Sequence, residues 1–343
     1  MKRKTHEPFG RRKTIRKVLR VIMISVLLFC LVSMAASAVF FRVMFHRQSG
    51  IPRLHFAYEE LPDPPARSDF SFLSGKNLLR GWRYDAEDPR GLVVVVNGIG
   101  SGADEHLAEI VCFLEHGYSV VTWDATGVGR SEGSGIVGLQ QIRRDLRAFL
   151  AYRRSTAEEL PMVLYSHSAG AYAAAMSLPE DDTILGAVCI AGFDRPVQIL
   201  YHHGKQTVGP LADLEYPFLR LENRLLFGPD ADASARAAID ATDTSVLLVG
   251  GSSDDLVPRQ YSLALAPASY RNPNVRCVEI AAPYRSEHAA AWLSPAAAEY
   301  LFQNGKTEHP DKARASELDP GFMALVLDFF DSVVGELALP AAA

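Results

Sequence analysis

The chain has 343 residues, of which 48% are hydrophobic and 22% are charged, and it contains 4 cysteines. This composition is typical of a globular protein and excludes a disordered, collagen-like or disulfide-rich chain. The net charge is -5, and residues 1–20 are strongly basic, so the remainder of the chain is acidic. Because an acidic body repels phosphate groups, we expect no nucleic acid as a partner.

An uncharged, apolar run occupies residues 21–41 and is bracketed by arginines. A helix of this length measures about 30 Å, enough to cross the hydrocarbon core of a bilayer. Ala36 and Ala38 resemble a signal-peptidase site, but the apolar run continues beyond them. We therefore expect an uncleaved single-pass anchor, with secretion after cleavage as the alternative. The basic tail is expected to be cytoplasmic and the following domain to lie across the membrane.

The cysteines do not indicate whether the protein lies in an oxidising or a reducing compartment. Cys30 lies within the apolar run, which leaves Cys112, Cys189 and Cys277 as an odd set. The last two lie in apolar, strand-like segments. Free, buried thiols are therefore predicted in preference to a disulfide.

Beyond a proline-containing stretch without steady periodicity, short apolar runs alternate with helix-like segments. Strands are predicted at 70–72, 78–84, 92–96, 119–123, 162–165, 184–190, 246–249 and 275–280. The first two strands are expected to form a hairpin. The others are apolar on both faces, which favours a mostly parallel sheet covered by helices on each side. The predicted fold is a doubly wound α/β sheet preceded by one transmembrane helix.

The predicted domain organisation follows from these patterns. It comprises a basic tail at 1–20, a membrane anchor at 21–41, a linker at 42–68, an α/β domain at 69–304, and a linker with a C-terminal amphipathic helix at 305–343. The long connection at about 193–240 is expected to form a lid over the site. The apolar face of the C-terminal helix is expected to dock on its own domain, with a partner or the membrane as the alternative.

A strand-to-helix junction carries the candidate nucleophile. Ser168 has Ser166 two positions before it and Gly170 two positions after it. Small residues at these two positions allow the strained turn that exposes a nucleophile, because the neighbouring backbones pack closely there. Ser166 is a poorer candidate, because Leu164 precedes it by two positions. The sequence therefore favours Ser168.

A serine nucleophile requires a base, and the base requires an acid to fix its tautomer. His288 follows the last predicted strand after a short loop and is the candidate base. Asp254 follows the preceding strand and is the candidate acid, with Asp255 and Asp194 as alternatives. A metal site at His202 is disfavoured, because no matching ligand cluster accompanies it.

Backbone amides are the usual donors to an oxyanion. One is expected from Ala169, directly after the nucleophile, and the other from Ile99 in the glycine-containing loop after the first parallel strand. That loop has no adjacent lysine and does not match a phosphate-binding P-loop. No metal and no organic cofactor are predicted.

Over residues 70–304 the chain resembles the α/β-hydrolase superfamily, within its serine aminopeptidase-like and lysophospholipase-like hydrolases. The resemblance rests on ordered motifs: Asn97-Gly98-Ile99-Gly100, Asp124-x-x-Gly127-x-Gly129-x-Ser131, Ser166-x-Ser168-x-Gly170, Gly251-x-x-Asp254-x-x-Val257-Pro258, and His288. The Ser, Asp, His order is that of the family. Asn97 replaces the usual histidine and Ser166 the usual glycine, and Asp124 is expected to shape its loop without a catalytic role.

The resemblance implies hydrolysis through an acyl-enzyme, with Ser168 as nucleophile. The fold does not determine the bond that is cleaved. The anchor and the aromatic lid favour a carboxylic ester as the substrate, either a small-molecule or a lipid-like acyl ester. A peptidase or amidase, an acyltransferase, and a non-catalytic membrane-anchored binding protein are the alternatives, and the protein partner is left open.

Overall fold

In the computed structural model, which describes residues 9–338, eight strands form one sheet in the order β1-β2-β4-β3-β5-β6-β7-β8. The strands are β1 Ser68–Ser74, β2 Asn77–Tyr84, β3 Gly91–Val96, β4 Tyr118–Trp123, β5 Met162–His167, β6 Ile184–Ile190, β7 Ser245–Gly251 and β8 Val275–Ile280. Strands β1 and β2 form the predicted antiparallel hairpin, and β2 pairs antiparallel with β4. The pairs from β4 through β3 to β8 are parallel. The predicted doubly wound, mostly parallel sheet is confirmed.

Helices cover both faces of this sheet. They are α1 Phe9–Met44, α2 Leu107–Glu115, α3 Gln141–Arg154, α4 Ala169–Ser177, α5 Pro196–Val208, α6 Leu211–Phe227, α7 Ala235–Ile239, α8 Pro295–Asn304, α9 Lys312–Ala315 and α10 Pro320–Ala338. One core packs α3 and α4 against the sheet, and a second packs α2, α8 and α10 against the opposite face. The central strands β3, β4 and β5 are buried along their whole length, which explains their continuous apolar runs.

The C-terminal helix α10 docks on its own domain. Phe330 is fully buried, with its ring centroid 5.7 Å from that of Phe113 and 5.8 Å from that of Tyr118. On the polar side of the helix, Asp331 accepts a hydrogen bond of 2.6 Å from the Tyr118 hydroxyl. Residues 339–343 of the predicted C-terminal segment lie outside the described residues.

The prediction of buried thiols is confirmed for Cys189 and wrong for Cys277. All four cysteines are unpaired, and Cys112 is half-buried whereas Cys277 is exposed. Cys277 lies on β8, which pairs only with β7 and forms an edge of the sheet. An edge strand has fewer neighbours to cover its side chains, so its apolar sequence does not imply full burial.

Helix α1 continues past the apolar run and contacts α6. The helix Lys13–Met44 is long and apolar enough to cross a membrane, with a mean hydropathy of 2.5 over an 18-residue stretch, and a signal sequence passes the same test. Its C-terminal half has one buried face, formed by Ser33, Ser37 and Phe41. The Ser33 hydroxyl donates a 2.9 Å hydrogen bond to Glu215 on α6. Residues 1–8 of the predicted basic tail lie outside the described residues.

The predicted linker at 42–68 lies along the domain surface. Gln48 pairs with Val128 and Gly50 pairs with Ser101 in isolated bridges. The guanidinium of Arg47 donates to the carbonyls of Gly129, Ser131 and Gly133, at 2.8, 2.9 and 2.7 Å. These contacts fix the end of α1 beside the edge where the parallel strands end. The predicted domain boundaries themselves stay predictions.

Candidate active site

The turn between β5 and α4 presents Ser168. Its backbone has φ 56° and ψ -118°, a conformation that non-glycine residues rarely adopt and that is stored at functional sites. A Cβ at Gly170 would lie 2.1 Å from the Val96 carbonyl oxygen, so this position requires glycine. The Ser166 hydroxyl is accommodated because it donates to the Val188 carbonyl at 2.7 Å. The local packing therefore matches the small-residue pattern of the sequence.

Three predicted side chains form a continuous hydrogen-bonded chain. The Nε2 atom of His288 lies 2.9 Å from Ser168 Oγ, and its Nδ1 atom lies 2.8 Å from Asp254 Oδ2. The other oxygen of Asp254 accepts the backbone N–H groups of Leu256 and Val257, at 2.9 and 2.8 Å. These amides orient the carboxylate, which in turn faces the imidazole. The arrangement is suited to moving a proton from Ser168 to His288.

The structure also separates Asp254 from the two alternative acids. Asp255 is exposed. Its backbone carbonyl oxygen lies 3.2 Å from His202 Nε2. The carboxylate of Asp194 accepts hydrogen bonds from the Ser234 hydroxyl and the Arg236 amide, at 2.5 and 3.0 Å. Asp194 thereby holds the start of α7. Of the three aspartates, the geometry places Asp254 on His288.

The predicted oxyanion donors lie on elements that meet at Ser168. Ala169 is the first residue of α4, where backbone N–H groups have no partner within the helix. Ile99 and Ser168 line the same cavity. A Cβ at Gly98 would lie 3.4 Å from the Cβ of Ser168, which shows how closely the Ile99 loop approaches. The roles of the two amides stay predictions.

Two buried polar side chains hold the Ile99 loop. Asn97 donates to the Gly102 carbonyl at 3.0 Å and to Thr122 Oγ1 at 3.3 Å. Asp124 accepts the Ala103 amide at 2.9 Å and the Arg130 amide at 2.7 Å. Burial raises the pKa of Asp124, and the two backbone hydrogen bonds oppose that shift. Asp124 thus joins two loops beside the site, in keeping with the loop-shaping role expected for it.

His167 is a site residue whose role the sequence did not reveal. Its Nε2 atom donates to the backbone carbonyl of His288 at 2.9 Å. Its ring centroid lies 4.8 Å from that of His288 and 5.1 Å from that of Trp292. Burial, with smaller effects from His288 and His106, lowers the pKa of His167 well below its ordinary value. A neutral His167 therefore supports the loop that carries His288.

The Ser168 cavity has a volume of about 530 Å³. It lies at the carboxyl edge of the sheet, where the sites of α/β proteins form. Helix α5 contributes Ile199 and Leu200, and the end of α1 and the residue after it contribute Met44 and Phe45. The contribution of α1 was missed by the sequence analysis, which treated residues before 69 as anchor and linker. The spacing of Phe41 and Phe45, one helical turn apart, was the available signal. Within the described residues, no group of three or more His, Cys, Asp or Glu side chains is arranged to hold a metal ion.

A family model matches part of the α/β domain. Residues 87–229 match the model of the family described as serine aminopeptidase, S33. No curated protein sequence matches the chain.

Solved structures resemble the whole domain. An esterase from Pyrococcus furiosus is 18% identical, with a TM-score of 0.56 over 84% of this chain and 98% of that chain. A Butyrivibrio proteoclasticus protein with bound ferulic acid is 14% identical, with a TM-score of 0.53 over 79% and 100%. A proline iminopeptidase from Mycobacterium smegmatis is 12% identical, with a TM-score of 0.51 over 79% and 100%. The chain therefore has the α/β-hydrolase fold.

Proposed function

We propose that the protein is a serine hydrolase that cleaves a carboxylic ester through an acyl-enzyme. The observation that carries this proposal is the hydrogen-bonded chain from Ser168 through His288 to Asp254. Serine is barely ionised at neutral pH and needs a base within hydrogen-bond reach. His288 meets that requirement, and Asp254 holds it in the tautomer whose Nε2 accepts the proton.

The proposed reaction has two halves. Ser168 Oγ attacks the substrate carbonyl while His288 takes its proton, and the resulting oxyanion is held by the amides of Ile99 and Ala169. His288 then gives the proton to the leaving alcohol, and the acyl group stays on Ser168. In the second half, His288 activates a water molecule, which releases the acid and restores Ser168.

An ester substrate is favoured by the walls of the Ser168 cavity. The side chains of Phe45, Ile199 and Leu200 are aliphatic or aromatic, so they contact an apolar acyl group more favourably than a charged group. The esterase among the structural neighbours is consistent with this choice.

An aminopeptidase is the second candidate. The family match over residues 87–229 and the Glu105 carboxylate in the wall of the Ser168 cavity favour it. A carboxylate in that wall could hold the amino group of a peptide substrate. Turnover of aminoacyl amides at a higher kcat/KM than simple esters would select this candidate.

The first test labels the full chain, in detergent, with a fluorophosphonate probe. We expect the wild type and Ser166→Ala to be labelled and Ser168→Ala to stay unlabelled, because the Ser168 hydroxyl is hydrogen-bonded to His288 whereas that of Ser166 donates to the Val188 carbonyl. Ester turnover should fall at least about a thousandfold in Ser168→Ala. Ser166→Ala is the matched control, since it removes a neighbouring hydroxyl from the same turn. Equal labelling of all three proteins, or none in the folded wild type, would contradict the proposal.

A further inference from the structure

A second cavity lies beside the Ser168 cavity, between α1 and the lid helices α5 and α6. Its volume is about 180 Å³, and its surface is almost wholly carbon. We call it the α1–lid cavity. Its walls include Phe40 from α1, Leu200, Gly204 and Val208 from α5, and Ala212 and Leu219 from α6.

Small side chains keep this space open. A Cβ at Gly204 would lie 3.6 Å from the Cβ of Ala212, so the two helices face each other here through the smallest side chains available. Glu215 also lines the cavity, but its Oε1 atom accepts a hydrogen bond from Ser33 of α1 at 2.9 Å. The carboxylate is thereby held toward α1, and carbon remains at the cavity surface.

The α1–lid cavity adjoins the Ser168 cavity. Leu200 belongs to the walls of both. Helix α1 also borders both, through Ala36 and Phe40 in the α1–lid cavity and through Met44 in the Ser168 cavity. Ala36 and Met44 are separated by about 12 Å along the helix axis. Leu200 therefore lies between the two cavities, so an acyl chain that extends from Ser168 past Leu200 is directed toward the α1–lid cavity.

The outer end of the α1–lid cavity lies at an apolar surface. Val208 lines the cavity and is also exposed, and Leu211 and Leu214 on α6 are exposed nearby in sequence. On α1, Val39 is exposed next to Phe40. This surface continues along the apolar side chains of α1, the candidate membrane span. These exposed apolar side chains offer an apolar ligand a route to the cavity.

We propose that the α1–lid cavity binds the acyl chain of a long-chain ester whose carbonyl is attacked by Ser168. This inference rests on the proposed function and specifies its substrate class. An apolar cavity of about 150 Å³ remains dry and takes up benzene, so the α1–lid cavity suits roughly six apolar carbons. A charged or strongly polar group would lose its hydration there without replacement hydrogen bonds.

The test uses the full chain in phospholipid nanodiscs with p-nitrophenyl butyrate, decanoate and palmitate. Gly204→Leu places a side chain in the cavity, and Gly204→Ala is its matched control, because a single Cβ makes only ordinary contact. We expect Gly204→Leu to lower kcat/KM for palmitate by about tenfold or more, the effect of failing to bury about two methylenes. Butyrate turnover should change little, and Gly204→Ala should resemble the wild type with all three esters.

Ala212→Leu fills the same space from α6 and replaces Gly204→Leu if that variant loses turnover of every ester. A second series compares ethyl palmitate with hexadecyl acetate. Selective loss of hexadecyl acetate turnover would place the alcohol chain in the cavity and overturn the acyl assignment. If kcat/KM depended on ester chain length in the same way in Gly204→Leu, Ala212→Leu and the wild type, the acyl assignment would also be overturned. A structural lipid would then remain as the occupant of the cavity. Because these outcomes require butyrate turnover or fluorophosphonate labelling of Ser168, they are distinct from failure of the proposed function.

Discussion

Asp254 and Asp255 are neighbours in the chain, and their different surroundings predict different roles for their carboxylates. One of its oxygens faces His288 Nδ1 and the other accepts two backbone amides, whereas Asp255 is exposed. Asp254→Asn keeps the shape but presents an amide that favours the wrong imidazole tautomer. We expect kcat for ester hydrolysis to fall by about ten-thousandfold. Asp255→Asn, the matched control, should retain nearly full activity, and equal losses in the two variants would reject the assignment.

His167 should make stability depend on pH. Burial lowers its pKa well below the ordinary value of 6.5 in the folded protein, so below that pH the unfolded chain binds a proton that the folded chain does not. Its contribution is fully present above pH 6.5 and is lost as the pH falls toward the folded pKa. The limiting slope is about 1.4 kcal/mol per pH unit.

Urea unfolding of the wild type and His167→Gln between pH 5 and 8 measures this contribution. Glutamine keeps a donor for the His288 carbonyl but does not titrate, so we expect a shallower loss of stability at low pH in the variant. His106 has a raised pKa and acts in the opposite direction, but both proteins contain it. Parallel stability profiles would show that His167 does not cause the dependence.

The contact between α1 and α6 joins the candidate membrane helix to the connection between β6 and β7. Ser33 donates to Glu215, and the rings of Phe29 and Phe218 lie 5.7 Å apart in a T-shaped arrangement. The second oxygen of Glu215 is buried without a hydrogen-bond partner among the described residues. Removal of the Ser33 hydroxyl therefore leaves the whole carboxylate without its donor.

We expect Ser33→Ala to lower the free energy of unfolding by about 1 to 3 kcal/mol, the effect of leaving a buried polar group unsatisfied. Ser25→Ala is the matched control, because Ser25 is exposed on the same helix. Chemical denaturation of both variants in one detergent provides the comparison. If Ser25→Ala is equally destabilised, the effect belongs to helix propensity or the micelle and not to the contact with Glu215.

The sequence predicted the elements whose burial is uniform and missed those whose neighbours come from distant parts of the chain. Strands β3 and β5 could be predicted because both of their faces are covered. Ser168 could be predicted because its turn admits only small neighbours. Cys277 was misjudged because an edge strand can have an apolar sequence. The role of His167 depends on the backbone path near His288, which leaves no pattern in the sequence. An apolar helix likewise does not reveal whether lipid or protein covers each face, so the packing of α1 was missed.

Helix α1 is part of the wall of the proposed active site as well as a candidate anchor. Phe41 and Phe45 are 4% and 5% exposed and belong to the core that includes α3 and α4. The backbone carbonyl of Phe45 also accepts a hydrogen bond from the Ile136 amide of the domain at 2.9 Å. Removal of this end of α1 therefore opens both the core and the Ser168 cavity.

Two truncated chains separate the packed part of α1 from its exposed part. A chain that starts at residue 33 loses the exposed apolar stretch but keeps the buried face, whereas a chain that starts at residue 46 loses both. We expect the chain that starts at residue 46 to be less stable by about 3 kcal/mol or more, because it lacks two buried phenylalanine side chains. Urea unfolding measures this difference, and p-nitrophenyl palmitate turnover should fall with it because Met44 and Phe45 no longer close the Ser168 cavity. Equal stability and equal turnover in the two chains would mean that α1 serves only as an anchor.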